Sequence, residues 1–205
     1  MTSNRLRFLI ASGPTREPID PVRYISNYST GVMGQCLANA VIARGHKVTF
    51  VECPKDAETA RDLGKKLATL LPKHDVLVMV AAVCDARPAT VSSTKVKKES
   101  LTTIKLVRNP DILASLAKKK KKNQVFIGFG LESSSILENG SKKLKNKGLE
   151  LIVLQRVMDK NVPFGNRFIE AFLLKKNGSH KRFASISKKR LARVLVREVE
   201  HLFRS

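Results

Sequence analysis

The sequence predicts an α/β fold in which helices cover both faces of a doubly wound, mostly parallel sheet. Strand-like apolar segments alternate with helix-like segments along most of the chain, which is the pattern of such sheets. Segment 75–83, "DVLVMVAAV", is almost entirely apolar, as expected for a strand that is buried on both sides. In Rossmann-like folds of this kind the carboxyl ends of the parallel strands share one edge, and ligands bind there. We therefore expect a ligand site at that edge.

The hydrophobic pattern also places the individual elements. Strands are predicted at 6–12, 46–53, 75–83, 101–107, 124–130, 149–154 and 169–176, because each is an apolar run bounded by charged or turn residues. Helices are predicted at 31–45, 56–71, 111–119, 136–147 and 187–203. Gly45 ends the first helix, the third follows Pro110, and Ser187 is the expected N-cap of the last. Asn177 and Gly178 predict a hairpin turn within 169–184, at a sheet edge.

Length and composition exclude several classes of protein. The chain has 205 residues, of which 42% are hydrophobic, and no Pro/Gly/Ser-rich linker divides it, so we expect one domain over residues 1–205. No apolar run approaches the roughly 18 residues that a membrane helix needs, and the N-terminus does not resemble a signal peptide. The three cysteines, Cys36, Cys53 and Cys84, lack CxxC spacing. We therefore expect reduced structural thiols, no metal-ligating residues and a cytoplasmic protein.

The net charge of +22 indicates either an anionic partner or a lysine-rich solvated surface. Lysine dominates, aromatic residues make up only 5% of the chain, and tryptophan is absent, so nucleic acid is not the favoured partner. Anionic small molecules fit this composition at least as well. We assign the lysine run at 117–123 to solvent at a helix end, where cations complement the helix dipole.

Polar residues cluster after three predicted strands. The clusters are 12–34, "SGPTREPIDPVRYISNYSTGVMG", then 81–98, "AAVCDARPATVSSTKVKK", and 128–133, "GFGLES". The first is predicted to be a long loop that leads into a helix N-terminus, a place where α/β proteins bind anions. Its polar residues are Arg16, Glu17, Asp20, Arg23, Asn27 and Ser29. The motifs GxGxxG and GxxxxGK[ST] are absent, so neither a standard dinucleotide fingerprint nor a phosphate loop is predicted.

Together with "VRNPDIL" at 107–113, these segments resemble the successive motifs of phosphopantothenate–cysteine ligases. The resemblance implies a ligase of coenzyme A biosynthesis that joins 4′-phosphopantothenate to L-cysteine. It also implies an acyl-nucleotide intermediate made from CTP in preference to ATP, Mg²⁺ as a cofactor, and a homodimer. The flavin-dependent decarboxylase half that many such proteins carry has no counterpart in these residues, so the chain resembles a stand-alone form.

The resemblance assigns roles to individual residues. Asn27 is implied to hold the acyl carboxylate, with help from Arg23, and Gly31 to contact the same substrate. Lys95 is implied to be the catalytic lysine beside the nucleotide phosphates. Nucleotide binding is further implied for Ala81, Ala82, Asp85, Asn109, Pro110, Asp111, Ile112, Phe129, Lys143 and Lys147.

Three positions depart from the family pattern. Val32 stands where the family often has a cation, Gln155–Arg156 replace an Asn–Asp pair, and 163–171 lacks an acidic residue of the family's turn. A nucleotide-binding member without ligase activity therefore stays open as an alternative, as does a basic nucleic-acid-binding protein. Cys84 is expected to serve packing, not to act as a nucleophile.

Overall fold

The computed structural model describes residues 5–158 and 163–204. Its strands are β1 (Arg7–Ser12), β2 (Arg16–Asp20), β3 (Arg23–Ser26), β4 (Lys47–Glu52), β5 (Val76–Met79), β6 (Ala86–Pro88), β7 (Leu106–Arg108), β8 (Val125–Glu132), β9 (Leu151–Arg156), β10 (Ile169–Lys175) and β11 (His180–Ile186). The α-helices are α1 (Val32–Ala43), α2 (Ala60–Leu70), α3 (Ile112–Ala117), α4 (Ile136–Asn146) and α5 (Lys188–Leu202). Within the described ranges, no helix is long and apolar enough to cross a membrane.

A seven-stranded sheet forms the centre of the molecule, in the order β11-β10-β9-β8-β5-β1-β4. Strands β4, β1, β5, β8 and β9 are parallel, and β10 and β11 are antiparallel to their neighbours. The predicted α/β fold with a mostly parallel sheet is therefore confirmed. The predicted hairpin is also present, and Gly178, at φ 85°, closes it in the left-handed conformation that glycine adopts without strain.

Side-chain alternation along the strands divides the core into two layers. In β1, Phe8 and Ile10 face one layer, whereas Leu9 and Ala11 face the other. Helices α1 and α5 cover the first layer with Met33, Leu37, Val41, Leu191, Leu195 and Val199. Helices α2, α3 and α4 cover the second layer with Leu63, Leu67, Leu113, Leu116 and Leu144. The strands around β1 are thus buried on both faces, as the continuous apolar runs predict.

The prediction of a polar loop at 12–34 is wrong, because this segment contains an antiparallel hairpin, β2–β3. Both of its acidic side chains are buried and have structural roles. Glu17 accepts a hydrogen bond from the backbone N–H of Ala60 (2.9 Å), the first residue of α2. Asp20 accepts from the backbone of Arg23 and pairs with its guanidinium. The hairpin is therefore attached to the domain through buried polar groups, which hydrophobic periodicity does not reveal.

The strand predicted at 101–107 is also misplaced. Only Leu106–Arg108 is extended, and it pairs with β6 in a separate two-stranded sheet outside the central one. Leu106 is half exposed, so this segment lacks the burial that a central strand needs. The strand predicted at 75–83 ends at Met79, and the residues that follow line the site while their backbone still bonds to the end of β1 and the segment after it.

Candidate active site

A cleft of about 440 Å³ lies at the carboxyl edge of the sheet, beside the ends of β5 and β9 and the start of α1. A volume of this size accommodates a nucleotide-sized ligand. The predicted site residues that line it are Asn27, Gly31, Ala81, Ala82, Asp85, Asn109, Pro110, Asp111, Ile112, Phe129, Lys143 and Lys147. The expected edge thus brings together residues that are more than a hundred positions apart in the chain.

Helix α1 begins in the wall of the cleft. Its N-cap, Gly31, has φ 71°, and among the described residues no side chain caps the helix. The first backbone N–H groups are therefore open to a ligand, at the end of the helix that attracts anions. The helix lies so close to β1 that a Cβ built on Gly34 would overlap the side chain of Ser12. Ser12 Oγ in turn donates to the carbonyl oxygen of Gly31 (3.1 Å), which fixes the helix start.

Asn27 follows β3 and reaches across to the segment after β5. Its Nδ2 donates to the carbonyl oxygen of Ala82 (3.0 Å) and lies 3.7 Å from Cys84 Sγ. One amide proton is thus committed to the protein, and the second makes only a weak contact with sulfur. Burial raises the pKa of the Cys84 thiol, which agrees with its expected packing role.

Asn109 joins two segments into one wall of the cleft. Its Nδ2 donates to the carbonyl oxygen of Cys84 (2.9 Å), and its Oδ1 accepts from the guanidinium of Arg87 (3.1 Å). Both polar atoms of the Asn109 side chain are therefore engaged within the protein. The neighbouring Asp85 is exposed, and its carboxylate forms no hydrogen bond or ion pair within the described part of the chain.

Lys143 of α4 and Lys147, the C-cap of this helix, place two cations in the opposite wall, and each is paired with a carboxylate. Lys143 Nζ lies 2.5 Å from Glu132 Oε1, and Asn139 donates to the other oxygen of this carboxylate (2.9 Å). Lys147 Nζ lies 3.0 Å from Oδ2 of Asp111. Asp111 also caps α3 by accepting from the N–H of Ala114 (3.1 Å), so its carboxylate has two separate roles.

This geometry can be compared with known proteins. The model of the DNA/pantothenate metabolism flavoprotein C-terminal domain family, DFP, matches residues 3–202. The chain belongs to the DFP family. A protein named cysteine/cysteine sulfinic acid decarboxylase, from an unknown prokaryotic organism, is 37% identical over 96% of this chain and 58% of its own length. A coenzyme A biosynthesis bifunctional protein CoaBC from Borreliella burgdorferi is 32% identical over 93% of this chain and 51% of its own length.

Solved structures give the same result. The crystal structure of the C-terminal domain of a CoaBC protein matches 98% of this chain and 97% of its own chain, with a TM-score of 0.79 and 29% identity. A Cab2 mutant in complex with phosphopantothenate-cysteine shares the fold, with a TM-score of 0.69 and 15% identity over 98% of this chain and 88% of its own. The resemblance drawn from the motifs is therefore confirmed at the level of the family. The DFP chain spans little more than half the length of the two curated relatives.

Two predicted site residues of the DFP chain do not line the cleft. Arg23 pairs with the buried Asp20 and donates to the carbonyl oxygen of Val96 (2.7 Å). Asp20 accepts from the N–H of Val96 (3.1 Å), and the Arg23 guanidinium holds the pKa of Asp20 well below its usual range. Lys95, next to Val96, is exposed to solvent. The Asp20–Arg23 pair therefore anchors the segment that carries Lys95, at a position outside the cleft.

The cleft also contains Thr30 and Lys188, which the sequence does not single out, and Pro163 and Phe164 from the departing segment 163–171. Lys188 is nearly fully buried at the start of α5. A lysine within "SKKRLAR" has the same sequence signature as a surface lysine, so the pattern gives no signal for it.

The family departures fall on two different surfaces. Val32 and Gln155 line the cleft. Arg156 instead pairs with Glu170 (2.8 Å), which also pairs with Arg182 (2.9 Å) across the edge strands. The departure at Arg156 is thus part of an ion-pair network on β9, β10 and β11, and these three side chains do not line the cleft.

The described residues contain no group of three or more His, Cys, Asp or Glu side chains arranged to hold a metal ion. Mg²⁺ in nucleotide sites takes most of its ligands from phosphates and water, with one or two protein carboxylates. The exposed carboxylate of Asp85 in the cleft fits that limited requirement. The donor set is thus suited to a metal that arrives with a nucleotide.

Proposed function

We propose that this DFP-family chain joins 4′-phosphopantothenate and L-cysteine through an acyl-nucleotide intermediate, with CTP as the nucleotide, in coenzyme A biosynthesis. The observation that supports this most is that a single cleft gathers Asn27, Asp85, Asp111, Phe129 and Lys143 from separate motifs. The relatives named CoaBC lend the substrate class further support.

The proposed reaction has two steps. The substrate carboxylate attacks the α-phosphorus of CTP, and pyrophosphate leaves. The cysteine amine then attacks the acyl carbon, cytidine monophosphate leaves, and the amine gives up a proton as the amide forms. Nucleotidylation is needed because a free carboxylate oxygen is a poor leaving group at neutral pH. Both steps require cations or backbone donors that are already in place around the phosphates.

The phosphates would lie between the open start of α1 and the lysines of the facing wall. Lys143 and Lys147 are each paired with a carboxylate. Phosphate oxygens would replace the carboxylates as partners of the two lysines. Binding would therefore require movement of the lysine side chains but not of the backbone. When bound, Mg²⁺ would neutralise phosphate charge, and Asp85 would be its protein ligand or a ribose contact.

Asn27 would hold the substrate carboxylate. Its second amide proton, which faces only a weak contact with Cys84 Sγ, is free to bond a carboxylate oxygen. An amide suits this role because it donates without adding a negative charge. Lys95 would act on the nucleotide only if its segment moves toward the cleft, since its side chain is exposed to solvent and does not line the cleft. Arg23 would guide that segment through its contact with Val96.

A homodimer is part of the proposal. The two-stranded sheets β2–β3 and β6–β7 carry exposed apolar side chains at Val22, Tyr24 and Leu106. At a net charge of +22, self-association needs an apolar contact to offset charge repulsion. The test is light scattering behind size-exclusion chromatography, in which Tyr24→Asp and Leu106→Asp are expected to give monomers.

The activity is tested by mixing the purified protein with Mg²⁺, phosphopantothenate, labelled cysteine and each nucleoside triphosphate in turn. We expect amide product and pyrophosphate, with CTP the best substrate. Nucleotide binding without pyrophosphate release would identify a catalytically degenerate family member instead. Faster reaction with ATP would overturn the choice of nucleotide alone. Tight, salt-dependent RNA binding at physiological salt, without amide formation, would favour the nucleic-acid alternative.

A further inference from the structure

Lys188 is a buried cation in the wall of the cleft. Its relative exposure is 4%, and it is the first residue of α5. Within residues 5–158 and 163–204, no carboxylate forms an ion pair with it, and burial lowers its pKa. A lysine at a helix N-terminus also lies at the positive end of the helix dipole, which is unfavourable.

The Lys188 ammonium makes two hydrogen bonds to the protein. Its Nζ donates to the carbonyl oxygens of Pro163 (2.8 Å) and Gly165 (2.6 Å). The N–H of Gly165 donates to Oγ1 of Thr30 (3.2 Å), and the Phe164 ring contacts the ring of Tyr28. These contacts hold Pro163 and Phe164 in place as part of the cleft wall. An ammonium carries three N–H donors, so one donor of Lys188 remains without a described protein acceptor.

Fixing two carbonyl groups does not explain a buried charge, because a neutral donor could do the same. Burying an unpaired ammonium is unfavourable even after local relaxation. Other part-buried lysines of this chain avoid that cost by pairing. Lys120, which the sequence pattern assigns to solvent, is instead largely buried, and its Nζ lies 2.5 Å from a carboxylate oxygen of Glu150. Lys143 and Lys147 also face acids. Lys188 therefore differs from them, because no carboxylate in the described parts of the chain pairs with it.

We propose that Lys188 binds an anionic group, a phosphate or a carboxylate, of the ligand that occupies the cleft. This inference rests on the proposed function for the ligands tested, CTP and 4′-phosphopantothenate. Lys188 then has two tasks, since two of its donors hold the Pro163–Gly165 wall and the third, with the positive charge, binds the ligand. It would supply a cation on the α5 side of a cleft in which Val32 contributes none.

The test compares Lys188→Gln with Lys189→Gln, its exposed neighbour. Glutamine keeps an N–H donor for the wall and removes the charge. Affinities are measured by calorimetry for CTP and, in a separate arm, for phosphopantothenate, and by equilibrium dialysis for uncharged cytidine. We expect Lys188→Gln to lower the binding affinity for at least one of the two anionic ligands by about tenfold or more, which is the contribution of one charge-assisted hydrogen bond. Cytidine affinity should stay the same, and Lys189→Gln should change every affinity less than about twofold.

The arms separate the outcomes. A loss of affinity for CTP alone places Lys188 at the nucleotide phosphates. A loss of affinity for phosphopantothenate alone places it at that substrate. An equal loss for CTP and cytidine would reduce Lys188 to a support for the wall, and no loss for either anion would also overturn the proposal. Lys188→Met is the second neutral variant if the first does not fold by near-ultraviolet circular dichroism, and Lys188→Arg should retain the anionic affinities. Wild-type protein that binds these ligands but forms no amide would contradict the proposed function, not the role of Lys188.

Discussion

The contact between Gly34 and Ser12 gives the sharpest prediction for the cleft. In Gly34→Ala, the new methyl group would overlap both Oγ and Cβ of Ser12, and Val80 Cγ1 would lie 3.2 Å away. Rotating the Ser12 side chain cannot relieve the overlap, since Cβ is fixed by the backbone of β1. Helix α1 must therefore move away from the sheet by about an ångström. Overpacking of this kind costs about 1–3 kcal/mol of unfolding free energy, and we expect the upper half of that range.

The partner mutation makes the argument testable. Ser12→Gly alone removes the hydrogen bond to Gly31 and adds backbone freedom, at a cost of about 1 kcal/mol. In the double variant the methyl group introduced by Gly34→Ala would fill the space that the serine side chain leaves. We therefore expect Ser12→Gly to restore stability to Gly34→Ala, with a favourable coupling of about 1 kcal/mol or more.

The assay is urea unfolding followed by circular dichroism for wild type, both single variants and the double variant, together with CTP binding. Since α1 begins in the cleft, CTP affinity should fall in Gly34→Ala and recover with stability in the double variant. Wild-type stability in Gly34→Ala, or losses that simply add in the double variant, would refute the steric argument.

Three further predictions concern function and pH. Asn27→Asp should lower kcat/KM for ligation by about tenfold or more, because a carboxylate there repels the substrate carboxylate, and a wild-type rate would place Asn27 outside the reaction. Lys95→Gln should leave pyrophosphate release intact while amide formation falls and acyl-nucleotide accumulates, as detected by mass spectrometry. Lys118→Gln is the matched control. An equal loss of amide formation in that variant would mean that the overall positive charge, and not Lys95 itself, is responsible. Arg44 is the main cause of the lowered pKa of Glu200, so the stability that this carboxylate contributes is present above its ordinary pKa of 4.5 and lost as pH falls through the lower folded value. The difference in urea midpoint between wild type and Glu200→Gln should therefore be constant near neutral pH and shrink in acid, and a difference that grows in acid would contradict this assignment.

The sequence predicts the central sheet well because its strands are buried on both faces. Continuous apolar runs such as 6–12 indicate that burial directly. Alternate side chains of β1 then belong to the two layers of the core. The β2–β3 hairpin escapes prediction because what it buries is Glu17 and Asp20. Hydrophobic periodicity reports apolar burial only, so strands that are fixed by buried carboxylates look like loops.

The same limit applies to the site. Motif resemblance locates Asn27, Asp85 and Phe129, and all three line the cleft at the edge where ligands are expected. It does not show that Arg23 is engaged with Asp20, because that pairing depends on the turn between β2 and β3. Nor does it separate Lys188 from the exposed lysine that follows it. Lys188 reaches the cleft because of how α5 packs against the sheet, and the residues beside it in the sequence do not indicate that packing.

Helix α5 has an influence on the timing of assembly as well as on packing. Its first residue holds the cleft wall, and near its other end Glu200 binds Arg44 and His46 at the end of α1. A chain leaves the ribosome N-terminus first, so α5 emerges after every strand of the sheet has been made. A nascent chain can therefore form most of the sheet while the Pro163–Gly165 wall still lacks Lys188. Substrate binding, and any protection against proteolysis that it gives, should begin only when this helix has docked.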